Sequence, residues 1–242
     1  MNIYWVEQSE ADVPVGDVWL SDNERKRLAT IRFPKRRADW RLGRWTAKLA
    51  IAEFLDVHPQ FKMLSRIEIM PAASGAPRVY LGHTPASISI SISHSSGIAA
   101  CAVAESDLTF GCDLEKIEPR SESFVDDYFT DEEQSFLIQA PFSDRTRLVN
   151  LIWSAKESTL KALEEGLRLD TRSVICTIGS RLSGSENGWY PLIARAEGGR
   201  FFNGWYQCTD EFVRTFVGSP QPEAPIVLAV GLRAERMKRA AM

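Results

Sequence analysis

The sequence predicts an α+β (α/β) protein of two similar halves, each with a long helix packed on a mainly antiparallel sheet. Two observations carry this. Segments of helical period occur at residues 36–56 and from about 121 to 165, and each is followed by short alternating or wholly apolar runs of strand character. A third observation bounds the answer: 242 residues, 44% hydrophobic and 25% charged, suffice for one large or two small folded cores and give no sign of disorder.

Each element follows from its residues. RRADWRLGRWTAKLAIAEFLD (36–56) has apolar positions at helical spacing, and Pro34 just before it suits a helix entrance. SISISIS, IAACAVA and LTFGCDLE, between residues 87 and 115, are separated by turn-forming SSG and ESD clusters and read as a three-stranded antiparallel meander. Helical period returns to about 165, and SVICTI, WYPLIARA, FFNGWYQCT and IVLAVGL then read as strands of a second sheet. The charged segment EKIEPR interrupts the apolar pattern and places a boundary near Ile117, dividing the chain into 1–117 and 118–242.

Composition excludes several classes. No run approaches a membrane span, and the first residues lack a basic stretch followed by an apolar core, so a cytoplasmic protein is expected. Cys101, Cys112, Cys176 and Cys208 are widely spaced without a CxxC pair, as buried reduced thiols would be. A net charge of −3 argues against general nucleic-acid binding but leaves room for local basic surfaces that hold phosphate.

Four places concentrate chemistry. Arg37, Arg41, Arg44 and Lys48 fall within one arc of the first long helix, a stripe that either water solvates or an anionic ligand covers. Ser93 and His94 end the serine–isoleucine strand, which is either a turn or a phosphate-binding strand end. In GlyCysAspLeuGlu (111–115) the two-residue period puts Asp113 and Glu115 on one face. The pair is either a solvated strand end running into EKIEPR or a site with a cation between the carboxylates, for which magnesium suits because it takes one or two carboxylates and completes its shell with water and phosphate oxygens. In TrpSerAlaLysGluSerThrLeuLys (153–161), Glu157 and Lys161 are neighbours on the polar side of a helix, while Lys156 lies at the edge of its apolar arc. One acid and two cations on one turn fit metal-bound pyrophosphate as well as a surface ion pair.

Taken together and in this order, these blocks resemble the larger single-chain 4'-phosphopantetheinyl transferases, the type that activates surfactin and enterobactin synthetases. That family's GxDxE and WxxKExxxK patterns are both complete here, and with SerHisSer, PheThrAspGluGlu (129–133) and the Arg-rich helix the resemblance spans about residues 30–170. It implies two halves related by pseudo-twofold symmetry, with coenzyme A in the cleft between them. It also implies an apo acyl- or peptidyl-carrier protein as the other substrate, and a monomer. On this reading Asp113, Glu115 and Glu157 hold magnesium. Ser93, His94 and one of Arg37, Arg41 or Arg44 meet the adenosine 3'-phosphate, and Lys156 and Lys161 meet the pyrophosphate. Glu157 is the candidate general base, directly or through a metal-bound water, and Lys161 the candidate proton donor or electrostatic stabiliser of the leaving phosphate. One departure is GlyAlaPro at 75–77, where the family commonly has GlyLysPro; Arg78 is then the nearest replacement cation. The competing expectations are a non-catalytic module binding coenzyme A or a carrier protein, and a magnesium-dependent phosphohydrolase.

Overall fold

The computed structural model describes residues 2–106, 108–179, 188–228 and 230. In chain order they form β1 (Tyr4–Ser9), α1 (Asp22–Thr30), α2 (Pro34–Phe54), α3 (Phe61–Leu64), β2 (Ile67–Pro71), β3 (Pro77–Leu81), β4 (Thr84–Pro85), β5 (Ile88–Ser95), β6 (Ile98–Glu105) and β7 (Thr109–Lys116). There follow α4 (Glu122–Tyr128), α5 (Asp131–Gln139), α6 (Phe142–Ala162), β8 (Val174–Ile178), β9 (Tyr190–Ala196), β10 (Arg200–Cys208), β11 (Phe212–Ser219) and β12 (Ile226–Val227). The fold is α+β, and none of these helices is long and apolar enough to cross a membrane.

Two sheets carry the architecture, ordered β12-β1-β6-β5 and β7-β11-β10-β9-β8, with a small β2-β3-β4 sheet beside the first. The 21-residue α2 covers the first sheet, burying Trp45, Leu49 and Ile51 in a core with Val6, Cys101 and Val103. The 21-residue α6 covers the second with Leu148, Leu151, Ile152 and Leu160 against Val174, Leu192, Phe202 and Val213. Cys101, Cys112 and Cys176 are buried, and all four cysteines are free.

The expected organisation is corrected in two respects. β5 and β6 pair as an antiparallel hairpin, but β7 leaves the meander and pairs with β11 of the other sheet. IVLAVGL does not extend the second sheet: Ile226 and Val227 run parallel to β1 in the first, while Ala229, Gly231 and Leu232 lie outside the described residues. The sheets therefore do not divide at Ile117, because each takes a strand from beyond it.

One internal device occurs twice. A capping box on α1 (Ser21, Glu24) and another on α5 (Thr130, Glu133) satisfy the helix N-termini. Each glutamate also reaches a strand, Glu24 accepting from the Ile69 amide and Glu133 from the Cys176 amide. Each then meets a fully buried lysine. Lys48 of α2 lies 2.6 Å from Glu24 and donates to the Trp19, Leu64 and Ile67 carbonyls. Lys156, at the same place in α6, lies 2.8 Å from Glu133 and donates to the Thr171 and Val174 carbonyls. A buried ammonium needs this many partners to persist.

Gly111 sets how closely α6 approaches β7. A Cβ there would stand 2.0 Å from the Ser158 carbonyl oxygen and 2.7 Å from the Ala162 amide nitrogen, backbone atoms that cannot swing aside. Gly111→Ala is expected to push the helix off the strand, costing about 1–3 kcal/mol or more in urea unfolding.

Candidate functional site

The site lies where the two sheets meet. β5 is an edge of one and β7 an edge of the other, and serine side chains join them. Ser91 Oγ accepts from the Cys112 amide at 2.9 Å, and Ser93 Oγ donates to Asp113 Oδ1 at 2.6 Å. Ser95 Oγ donates to Glu115 Oε2 at 3.2 Å and accepts from the Lys116 amide. The alternation of β5 thus has a reason on both faces: Ile90 packs in the first core and the serines point at the neighbouring edge.

Asp113 is 3% exposed, and its Oδ2 is buried without a hydrogen-bond partner. From α6, Lys161 Nζ reaches Asp113 Oδ1 at 2.7 Å and the Cys112 carbonyl at 3.1 Å, a reach that the contact at Gly111 permits. Glu115 is held from three sides, accepting from Trp153 Nε1 and Arg120 as well as Ser95. Arg120 itself stacks over Phe124 and donates to Asn150.

The electrostatics follow from this crowding. Desolvation and then Asp113 push Glu115 up to about 7, against Arg120 and the hydrogen bonds from Ser95 and Trp153. Desolvation also raises Glu157; Lys161 opposes the rise and Asp113 adds to it. Burial alone would depress the Lys161 ammonium, but Asp113, Glu157 and Cys112 outweigh it and its pKa rises. His94 stands solvent-exposed at the strand end, and desolvation still lowers its pKa, Lys161 and Lys35 assisting against Asp39 and Asp113.

A cleft of about 640 Å³ opens beside this seam. One wall comes from α2, β5 and the β2–β3 hairpin, and the other from the start of β7 and the end of α6. Arg44, Arg78, His94 and Lys161 line it, with Trp40 forming an aromatic side. Trp40 also lines a smaller cavity of about 280 Å³ whose other walls include Arg27, Arg32, Phe33 and Arg36. The Arg27–Arg32–Arg36 group is a cluster that the sequence signals only as three arginines around one exposed phenylalanine.

Several expected site residues lie elsewhere. Lys156 does not face a ligand: it is fully buried, and Glu133 with two backbone carbonyls saturates it, so its place at the edge of the apolar arc marks a core ion pair. The basic stripe is not unpaired. Arg37 ties the α1–α2 turn by donating to the Leu28 and Ile31 carbonyls, Arg41 pairs with Asp17 and donates to the Pro14 carbonyl, and Lys48 is buried. Of the four, Arg44 lines the cleft. Ser93 is 6% exposed with its hydroxyl committed to Asp113 and does not line the cleft; Ser89 and Ser91 do, Ser91 with its hydroxyl accepting from the Cys112 amide. Among the described residues no three His, Cys, Asp or Glu side chains are gathered as a metal-binding group. The orphaned Asp113 Oδ2 is nevertheless what a cation would satisfy, and Asp113, Glu115 and Glu157 are close enough for Asp113 to raise the pKa of the other two.

Fold and site together define an α+β protein with a polar, partly aromatic cleft between its two sheets, where Arg44, Arg78 and Lys161 outnumber Asp39 and Glu164 and leave a net positive lining beside a group of carboxylates. A family model described as the 4'-phosphopantetheinyl transferase superfamily matches residues 109–196, from β7 through β9. The chain is 26% identical over 164 residues, 67% of each protein, to the 4'-phosphopantetheinyl transferase HetI of Nostoc sp.. Both likenesses fall within the 4'-phosphopantetheinyl transferase superfamily, the first over β7 to β9 and the second over two thirds of the chain. Among solved structures it overlaps a holo-(acyl-carrier-protein) synthase from Bacillus anthracis in complex with CoA (3',5'-ADP), with a TM-score of 0.36, 21% identity, and 42% of this chain and 92% of that one covered. The holo-[acyl-carrier-protein] synthase of Helicobacter pylori in complex with coenzyme A gives a TM-score of 0.30, 22% identity, and 43% and 98%. Neither overlap is close enough to carry an inference about this site.

Proposed function

We propose that this protein transfers the 4'-phosphopantetheine of coenzyme A to a serine of an apo acyl- or peptidyl-carrier protein, releasing 3',5'-ADP. The observation that carries the reading is the convergence of Arg44, His94 and Lys161 on one cleft next to the carboxylates of the GxDxE strand and Glu157. A monomer suffices, because one chain supplies both cleft walls. The four free cysteines fit a cytoplasmic setting.

Arg44 and His94 bind phosphate on the cleft wall, with Arg44 supplying charge and His94, neutral near pH 7 by its lowered pKa, supplying an N–H. The carrier serine oxygen attacks the phosphorus that bears pantetheine, and the bond to the adenosine-side phosphate breaks. Glu157, drawn above the usual carboxylate range, takes the serine proton. Lys161, kept charged by Asp113 and Glu157, stabilises the departing phosphate. Asp113, Glu115 and Glu157 would hold a magnesium ion, which would supply further positive charge to the phosphate oxygens.

The intact mass of a purified apo-carrier protein, incubated with this protein, coenzyme A and magnesium, tests the reading. Gain of one phosphopantetheine on serine, abolished by EDTA, is the expected result. Coenzyme A binding without mass gain on any carrier class would favour a binding module, and free phosphopantetheine appearing without carrier would favour a hydrolase.

Glu115 gives a separate test of the magnesium set. The metal binds the ionised carboxylate, so affinity must fall as pH drops through about 7 and protons must be released on binding. Calorimetric magnesium affinity is expected to weaken about tenfold between pH 8 and pH 6. A flat profile would remove Glu115 from the set.

A further inference from the structure

Three hydrogen bonds span the cleft mouth from the β2–β3 hairpin to the segment after α6. Arg78 on β3 donates to both carboxylate oxygens of Glu164, at 2.7 and 2.9 Å, and Ser74 in the turn donates to Glu164 Oε2 at 3.0 Å. Arg78 is the hairpin's one Lys or Arg, and it lines the cleft with Arg44 and Lys161. Glu164 is in an unusual place for this task. Its φ is +58°, in the left-handed region that glycine occupies freely and other residues occupy at a cost. Both side chains stay accessible, at 49% and 38% exposure, so the ion pair is weakly held.

A carboxylate whose two oxygens both accept from one arginine nitrogen, Arg78 Nη2, on the wall of this cleft sits as a phosphate group would. We propose that Glu164 is a built-in competitor: it holds Arg78 and Ser74 across the cleft mouth in the free protein, and a phosphate of the entering ligand takes Arg78 from it. Arg78 then becomes the hairpin's phosphate-binding cation, at the position adjoining Pro77 where Ala76 offers none. This deepens the proposed function and rests on coenzyme A as the ligand. It predicts that the carboxylate opposes binding, the reverse of what a structural strut between the halves would do.

Coenzyme A affinity measured for the unaltered protein, Glu164→Gln, Arg78→Ala and the double variant separates these. Glu164→Gln is expected to tighten binding about three- to fivefold, the scale of an exposed ion pair released from competition. Arg78→Ala is expected to weaken it, and Glu164→Gln is expected to give no gain in the Arg78→Ala background. Unchanged or weaker binding by Glu164→Gln would overturn the competitor role, as would an equal gain with and without Arg78, because Glu164 would then repel anions without engaging that arginine. If the unaltered protein bound no coenzyme A, the proposed function would fall and the competitor role with it. Binding by the unaltered protein with no effect of Glu164→Gln would remove the competitor role alone.

Discussion

Lys156→Met, which keeps most of the side-chain bulk and removes the charge, is expected to lower the free energy of unfolding by about 3–5 kcal/mol. The Glu133 carboxylate would remain 2% exposed and lose its cationic partner, although the Thr130 and Cys176 amides would still donate to it. The Thr171 and Val174 carbonyls would lose a donor as well. Against a typical stability of about 5–15 kcal/mol this is a large fraction, readable as a shift in the urea midpoint followed by tryptophan fluorescence. Native stability combined with weakened coenzyme A binding would return Lys156 to the ligand site.

Glu157→Gln is the complementary case, with an effect on rate and not on stability. The carboxylate is partly exposed and is not tied into the seam of serine hydrogen bonds, so the amide fits without leaving a buried group unpaired. Loss of a general base is expected to lower kcat for transfer about 10²- to 10⁴-fold while the urea midpoint stays in place. A folded variant with near-normal kcat would end the assignment of Glu157 as base. Asp113 cannot be tested so cleanly: at 3% exposure, and shared by Ser93 and Lys161, its removal disturbs folding and function together.

What the sequence made legible was whatever depends on neighbours along the chain. The helix from Pro34, the strand carrying Asp113 and Glu115, and the helix carrying Glu157 and Lys161 all follow from period and local spacing. Lys156 and Lys48 were misread because their partners are remote. Their glutamates sit in capping boxes on other helices, and their carbonyl acceptors lie in other segments of the chain, Trp19, Leu64 and Ile67 for Lys48 and Thr171 and Val174 for Lys156. Arg37 and Arg41 were overvalued for the same reason, since an arc on a helix says nothing about which backbone carbonyls will fold over it. The short turn before β7 suggested a hairpin, yet pairing was decided by β11, a strand of alternating pattern (FVRTFVGS) that had not been recognised. Arg78 is visible in the sequence as a spare cation, but its counter-charge Glu164 is not, because nothing local connects a β-hairpin to a residue past the end of α6.

The exchange of strands between the sheets also constrains the order of assembly. β7 precedes the second half in sequence and belongs to its sheet, whereas β12 follows that half and pairs with β1, bringing Ile226 beside Tyr4. During synthesis the first sheet cannot gain its last strand until the second half has left the ribosome, and β1 waits with an open edge. A contact of such long sequence separation closes late. Cutting the chain at Ile117 would therefore yield two pieces that each retain a strand fitted to the other, and they are expected to recover structure when mixed more readily than when kept apart.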